Sequence, residues 1–308
     1  MAARIALGSC RPKFAVLFAA YNGIRWIEEQ LGSILGQQDV DVTVFISDDQ
    51  STDGTWAWCE ELSERESRIV LLPVCSERFG GAAKNFFRLV KDVDFSGFDY
   101  ICYADQDDVW LSNKLINAHR LMVAEGASAV STNVLAYWPD GREQLIDKAQ
   151  PLRKYDYLFE AGGPGCSYVL AVSKALIFKR FLIEKWSYAN EVALHDWLTY
   201  AWFRANGYRW VIDRRPSLRY RQHGGNQMGA NDGLPAVLRR LRLLRSGWYR
   251  GETGKIVNLV GPLISECPDA VISRGVLSRK FILKNISETR RKPRDRAVLL
   301  LSVLLGLY

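Results

Sequence analysis

An α/β fold on a mostly parallel sheet is predicted by two features of the first third of the chain. Short apolar runs of strand length alternate four times with segments of helical periodicity. Three of the four runs end in polar turns, which places those turns along one edge of the sheet.

Phe14 to Ala19 is a continuous apolar run bounded by Lys13 and by Tyr21-Asn22-Gly23, as expected for a strand covered on both faces. Ile27, Leu31, Ile34 and Leu35 then recur at helical spacing, with Asn22 placed to help cap the helix. A second strand, Asp41 to Ser47, alternates Val42, Val44 and Ile46 and runs into Asp48-Asp49-Gln50-Ser51-Thr52-Asp53-Gly54-Thr55. Within that turn Asp53 reads as the cap of a helix through Trp56 and Leu62. Ile69 to Val74 is the third predicted strand, Phe86 to Val90 lies in a helix, and Tyr100 to Ala104 is the fourth strand.

Open sheets of this type bind ligands beyond the carboxyl ends of their strands. The fourth strand ends in Asp105-Gln106-Asp107-Asp108-Val109-Trp110, three carboxylates in four residues. Carboxylates so close repel one another unless a cation or a proton intervenes, and hard oxygen donors suit Mg²⁺ or Mn²⁺ shared with a diphosphate. The competing reading of this stretch alone is a solvated acidic turn. A G-x-G-x-x-G after the first strand and a G-x-x-x-x-G-K-[ST] loop are both missing, which argues against dehydrogenase and P-loop chemistry.

At 308 residues, 48% hydrophobic and 24% charged, the composition is that of an ordinary globular protein. Its +7 net charge is concentrated in the last quarter: from Leu234 onward there are 15 Lys and Arg against 5 Asp and Glu. Cys10, Cys59, Cys75, Cys102, Cys166 and Cys267 form no C-x-x-C pair and read as reduced thiols of a cytoplasmic protein. The N-terminus lacks the pattern of a secretory signal, and the closing apolar run Ala297 to Tyr308 is too short to span a bilayer.

The motifs together resemble the family 2 glycosyltransferases of the GT-A fold. Ala-Tyr-Asn after strand one, Ser-Asp-Asp-Gln-Ser-Thr-Asp-Gly-Thr after strand two and Asp105-Gln-Asp-Asp-Val-Trp carry the likeness. His195-Asp196-Trp197 and Tyr220-Arg221-Gln222-His223-Gly224-Gly225-Asn226 narrow it to bacterial transferases that use dTDP-L-rhamnose. The resemblance implies a GT-A domain over residues 1–233, with 12–110 as nucleotide-sugar half and 111–233 as acceptor half, followed by a basic helical region over 234–308.

For the site, the resemblance implies that Asp49 accepts the imide N–H of a uracil or thymine base and that Tyr21 lies along that base. It places Asn22, Lys84 and Asn85 at the nucleotide, Asp105 at the ribose or the metal's water shell, and Asp107 on the metal. Arg221 and His223, which follow an apparent edge strand Ser217 to Tyr220, return to the diphosphate or metal, with His223 either a ligand or a hydrogen-bonding partner. Asp196 is the base that deprotonates the acceptor hydroxyl, the alternatives being a helix cap or an ion pair with Arg204 or Arg209. Asp108 either joins the metal or caps the helix carrying Leu115 and Leu121. The turn Gly162-Gly163-Pro164-Gly165-Cys166-Ser167 corresponds to the acceptor floor, and Gln222 to Gly233 reads as a loop able to close over the donor.

In the tail, Val237, Leu238, Leu241 and Leu244 form an apolar stripe beside Arg239, Arg240, Arg242 and Arg245, with Trp248 and Tyr249 following. This pattern fits an anionic membrane surface at the inner face of a bacterial plasma membrane, or a helical appendage packed on the main domain or on a second copy in a homo-oligomer. Nucleic acid is a poorer match, because no nucleic-acid-binding fold accompanies the charge. The expected function is metal-dependent, inverting transfer of a sugar from a nucleotide-sugar donor, dTDP-L-rhamnose or a UDP-sugar, to a saccharide or lipid-linked saccharide. The alternatives are a nucleotidyltransferase that makes sugar nucleotides and a non-catalytic scaffold.

Overall fold

The computed structural model describes residues 11–223, 233–264 and 277–308, with the side chains of 233–237 excepted. The predicted closing loop through Gly224, Gly225 and Gly229 and the side chain of Val237 therefore lie outside the described residues. In chain order the elements of the first half are β1 (Lys13–Ala20), α1 (Ile27–Leu35), β2 (Asp41–Asp48), α2 (Thr55–Arg65), β3 (Ile69–Leu71), α3 (Ala82–Asp92), β4 (Tyr100–Asp105) and β5 (Val109–Trp110). There follow α4 (Lys114–Glu125), β6 (Ala129–Tyr137), β7 (Glu143–Ile146), β8 (Val169–Ala171), α5 (Val172–Glu184), α6 (Trp186–Ala189), α7 (His195–Ala205) and β9 (Trp210–Arg221). The tail carries α8 (Gly233–Arg245), α9 (Trp248–Val260), α10 (Arg279–Lys284) and α11 (Pro293–Leu304).

One sheet of order β3-β2-β1-β4-β8-β6-β9-β5, with β7 added beside β6, organises all of this. β1, β2, β3 and β4 are parallel, as predicted, whereas β8 enters antiparallel between β4 and β6. Alternate residues of β1 feed opposite cores: Ala15, Leu17 and Ala19 join one cluster, Phe14, Val16 and Phe18 the other. A strand apolar on both faces is what the continuous run at Phe14 requires.

Three local expectations change. Asn22 does not cap α1, whose cap position is Trp26 without a side-chain bond; it adopts a left-handed conformation (φ 48°), and its Oδ1 accepts Thr52 N–H at 2.8 Å. Asn tolerates that region better than most residues. The third strand stops at Leu71, and Ser217 to Tyr220 belongs to β9, which has a neighbour on each side rather than forming an edge. Asp53 does support the start of α2, accepting Thr55 N–H at 3.0 Å.

The tail packs on the main domain, as one of its two readings expects, but with Arg291 buried rather than solvated. Ile256, Val257 and Val260 of α9 and Leu299, Val303 and Tyr308 at the C-terminus are buried in the same cluster as Phe86, Tyr103 and Phe178 of the α/β layer. Arg291, 3% exposed, plugs into the segment between β7 and β8. Its amide donates to Glu160 Oε1 at 2.7 Å, while its guanidinium meets Ala161 O at 2.6 Å and Asp156 Oδ2 at 3.4 Å. Arg204 Nη1, 3.1 Å from Asp156 Oδ1, balances the second arm of that carboxylate. Removing one member of a buried charge network strands the others, so Arg291→Ala should destabilise the fold by about 3 kcal/mol, read as a lower denaturation midpoint. An unchanged midpoint would mean that the tail is only loosely held.

Candidate active site

A cleft of ≈ 970 Å³ opens along the carboxyl ends of β1, β2 and β4 and continues across to α7 and the tail. Register places its residues there: Ala20 lies opposite Asp48, and Ala19 opposite Asp105. The β1 and β4 turns are tied by Gln106, whose Nε2 donates to Tyr21 O and whose Oε1 accepts Tyr21 N–H, both at 2.8 Å. Gly23 is needed for this contact, since a Cβ there would fall 2.2 Å from Gln106 Oε1. Gln106 went unassigned in the sequence because nothing distinguishes it from a spacer between aspartates.

At the end formed by the β1 and β2 turns, Tyr21, Asp49 and Asn85 all line the cleft. Asp49 is almost fully buried and already engaged, accepting the amides of Phe79 and Gly80. Arg78, which sequence reading missed, lies 3.7 Å from Asp49 Oδ2 with its guanidinium 3.8 Å above the Tyr21 ring. Asn85 bridges β1 and β2 through Nδ2, to Ser47 O at 2.8 Å and Ala20 O at 3.4 Å, and leaves its Oδ1 buried without a partner. Lys84 is exposed and does not line the cleft. One residue on a helix rotates a side chain by roughly 100°, so Asn85 and Lys84 face different ways. Asn22 stays out of the cleft wall as well, joining the β1 and β2 turns instead.

The acidic turn divides into two environments. Asp107 faces the cleft, with His223 Nε2 2.6 Å from its Oδ2, and the His223 ring stacks on Trp26 at 4.1 Å. Arg221 does not reach toward the cleft: its Nε donates to the backbone carbonyl of Asp107 at 2.9 Å, and its other arm pairs with Glu29. It buttresses the turn. Asp105 lies at the cleft floor, where burial, Asp107 and Asp196 push its carboxyl up to about 8.

Asp108 does not line the cleft but lies just beneath its floor. It is fully buried, its oxygens lack a geometrically sound hydrogen bond, and Cys166 is its near neighbour. Burial followed by the charges of Asp107 and Asp105 holds it well above the usual carboxylate range. It does not cap α4, whose cap position is Asn113. The Asp105–Asp108–Cys166 group has its ligand atoms within 4.8 Å of one another, but it includes a soft thiol that burial pushes well up. That donor set does not suit Mg²⁺ or Mn²⁺, whereas the cleft-facing carboxylate of Asp107 is the hard oxygen donor these ions take, with the softer His223 imidazole beside it.

Across the cleft, His195 and Asp196 open α7. Asp196 accepts the Trp197 amide at 2.8 Å and pairs with neither Arg204, which serves Asp156, nor Arg209, which serves Glu125. Burial raises its carboxyl to about 6. His195 stacks on Phe86 at 3.9 Å, and burial pulls it down to about 3, so the ring is neutral at physiological pH. Gly165 packs directly on this pair: a Cβ would lie 2.7 Å from His195 Nε2 and 3.1 Å from Asp196 Cβ. The glycines of the 162–167 turn thus admit protein side chains rather than only a ligand, since a Cβ on Gly162 would meet Tyr200 at 2.7 Å. Gly165→Ala should displace Asp196 and cut turnover by about tenfold or more, at a stability cost of about 1–3 kcal/mol. Full turnover in that variant would show that Asp196 need not be held where it is.

Sequence comparison decides what these parts belong to. A family model described as Glycosyl transferase family 2 matches residues 15–185. The chain is also 43% identical to the dTDP-rhamnosyl transferase RfbG of Shigella flexneri, over 94% of its own length and 100% of that protein.

The chain belongs to glycosyltransferase family 2. Its open, mixed sheet is the GT-A arrangement, and solved transferase structures share it. The structure of S. aureus TarS 1-349 in complex with UDP-GlcNAc aligns at TM-score 0.54 and 14% identity, covering 83% of this chain and 67% of that one. The mannosyltransferase PcManGT from Pyrobaculum calidifontis, in complex with GDP-Man and Mn2+, aligns at TM-score 0.50 and 16% identity, over 97% and 86%. At those identities the likeness carries the fold alone. Membership in family 2 sets aside the nucleotidyltransferase reading. Among the described residues no helix is long and apolar enough to cross a membrane.

Proposed function

We propose that this family 2 enzyme transfers L-rhamnose from dTDP-β-L-rhamnose to a saccharide or lipid-linked saccharide acceptor, with inversion at the anomeric carbon. The observation that carries the reading is Asp196 facing the Asp107–His223 pair across one cleft, in a chain so similar to a dTDP-rhamnosyl transferase along its whole length. A UDP-sugar is the second donor to consider, because Asp49 would read the same imide edge in either base. Although both its oxygens already accept an amide, a carboxylate oxygen has capacity for a second bond.

In this reading the acceptor hydroxyl attacks the anomeric carbon from the α7 side, the bond to the diphosphate oxygen breaks, and the hydroxyl proton passes to Asp196. A carboxyl raised to about 6 is ionised at neutral pH yet basic enough to take that proton. Asp107 and His223 would hold Mg²⁺ or Mn²⁺, which when bound supplies positive charge against the departing diphosphate. Gln106 fixes the floor, Arg221 keeps the Asp107 turn in place, and Asp105 lies near the ribose side.

Incubation with dTDP-β-L-rhamnose and Mn²⁺ tests this. dTDP should be released, and the first anomer seen by NMR, even on slow transfer to water, should be α. Absence of dTDP release, or a β product formed first, would overturn it.

We place the protein peripherally at an anionic membrane surface, on the support of exposed Leu238 and Leu241 in α8 beside a run of arginines. Vesicles containing anionic lipid should sediment with the chain and neutral vesicles should not; equal retention by both would count against that placement. A contact with a second copy through the same face would appear as a dimer in the absence of lipid.

A further inference from the structure

The cleft does not end at Asp196. Beyond it, one wall is made by Lys148, in the turn after β7, and by Arg290, Lys292 and Arg294, around the start of α11. Among the described residues none of these four cations makes a salt bridge. The carboxylates on the same wall are mostly committed elsewhere. Asp147 accepts Asn133 Nδ2, Ala149 N–H and Gln150 Nε2, and Glu160 is taken by Arg291. Asp147, whose partners are neutral, and Asp295 keep their charge, and Glu160 also acts on Lys148, so the four cations outnumber the carboxylates that oppose them.

Four uncommitted cations on the wall of a cleft repel one another and gain from an anionic guest. Trp248 and Tyr249 line the cleft too and offer aromatic surface for a sugar ring or an apolar chain.

The position separates this wall from the donor's diphosphate. β7 pairs with β6, on the opposite part of the sheet from β1, β2 and β3, whose turns form the nucleotide end. Lys148 is a cation whose charge acts on Asp196, and its own ammonium is pulled down by burial. The cations therefore lie on the acceptor side of the base.

Resting on the transferase reading, we propose that Lys148, Arg290, Lys292 and Arg294 form an acceptor subsite for an anionic substituent, a phosphate ester or a uronate carboxylate. The subsite selects acceptors by charge and holds the charged group while the hydroxyl beyond it meets Asp196. The tail earns its place in the fold by supplying three of the four cations.

Titration calorimetry on the full chain in EDTA tests this, using three probes below their micelle concentrations: dodecyl diphosphate, dodecyl glucuronide and neutral dodecyl glucoside. At least one anionic probe should bind about tenfold or more tightly than the glucoside. That preference should disappear in Lys148→Gln and in Lys292→Gln/Arg294→Gln, while dTDP affinity with Mn²⁺ stays unchanged. Whichever anionic probe is favoured names the source of the charge. Equal binding of charged and neutral probes overturns the subsite, and so does a parallel fall in dTDP affinity, which would give these cations to the donor. A wrong donor assignment would leave the probe results in EDTA untouched.

Discussion

Asp196→Asn is expected to lower kcat by about two to four orders of magnitude, the range that a positioned general base supplies, with donor affinity nearly unchanged. Asparagine keeps the shape and can still accept the Trp197 amide, but it cannot take a proton at neutral pH. The same carboxyl sets a pH dependence. In the folded chain burial lifts Asp196 from its ordinary 3.8 to about 6. Ionising it therefore costs folding free energy: its contribution to stability is full below the ordinary value and declines as pH rises through about 6. Activity moves in the opposite sense, rising along an acid limb near pH 6 as the base ionises. His195, lowered to about 3, is already neutral there and adds nothing to that limb. An asparagine variant that keeps full turnover, or one that loses donor binding together with turnover, would contradict the role given to Asp196.

Asp107→Ala is the second large effect. It removes the one cleft-facing carboxylate that meets His223, and with it the means to hold a divalent ion against the diphosphate. Transfer should fall by about a thousandfold, the scale of several kcal/mol of charge stabilisation, and the remaining activity should no longer respond to Mn²⁺ or EDTA. Asp108→Asn is the informative companion. Asp108 does not line the cleft and asparagine keeps its shape, so its replacement should leave metal response intact. Persistence of metal dependence in Asp107→Ala would move the ion to another group.

How much of this was legible beforehand depended on the kind of signal. The parallel half of the sheet could be read because strands covered on both faces are continuously apolar, as Phe14 to Ala19 shows. From there the convergence of Tyr21, Asp49 and Asp105 follows from topology alone. What could not be read was direction at the level of single side chains. Asp107 and Asp108 are neighbours in one turn, yet only Asp107 lines the cleft while Asp108 is fully buried, and Asn85 and Lys84 divide between cleft and solvent on α3. Arg221 stands close to the site but spends its guanidinium on the Asp107 carbonyl and Glu29, which no local pattern reveals.

The tail left two readings open for a different reason. Its basic, amphipathic composition suits a surface helix, and the contact that buries Arg291 joins residues more than a hundred positions apart. Nothing in the local sequence announces Asp156 as its partner.

The central claim is that this cleft takes a thymidine or uridine diphosphate sugar, dTDP-β-L-rhamnose foremost, with the help of a divalent ion. A binding panel of dTDP-β-L-rhamnose, UDP-glucose, UDP-GlcNAc and GDP-mannose, each with and without Mn²⁺, tests it most directly. dTDP-β-L-rhamnose should bind most tightly, with its binding strengthened by Mn²⁺ and lost with Asp107→Ala. Preferential binding of GDP-mannose, or no binding of any pyrimidine donor, would contradict it.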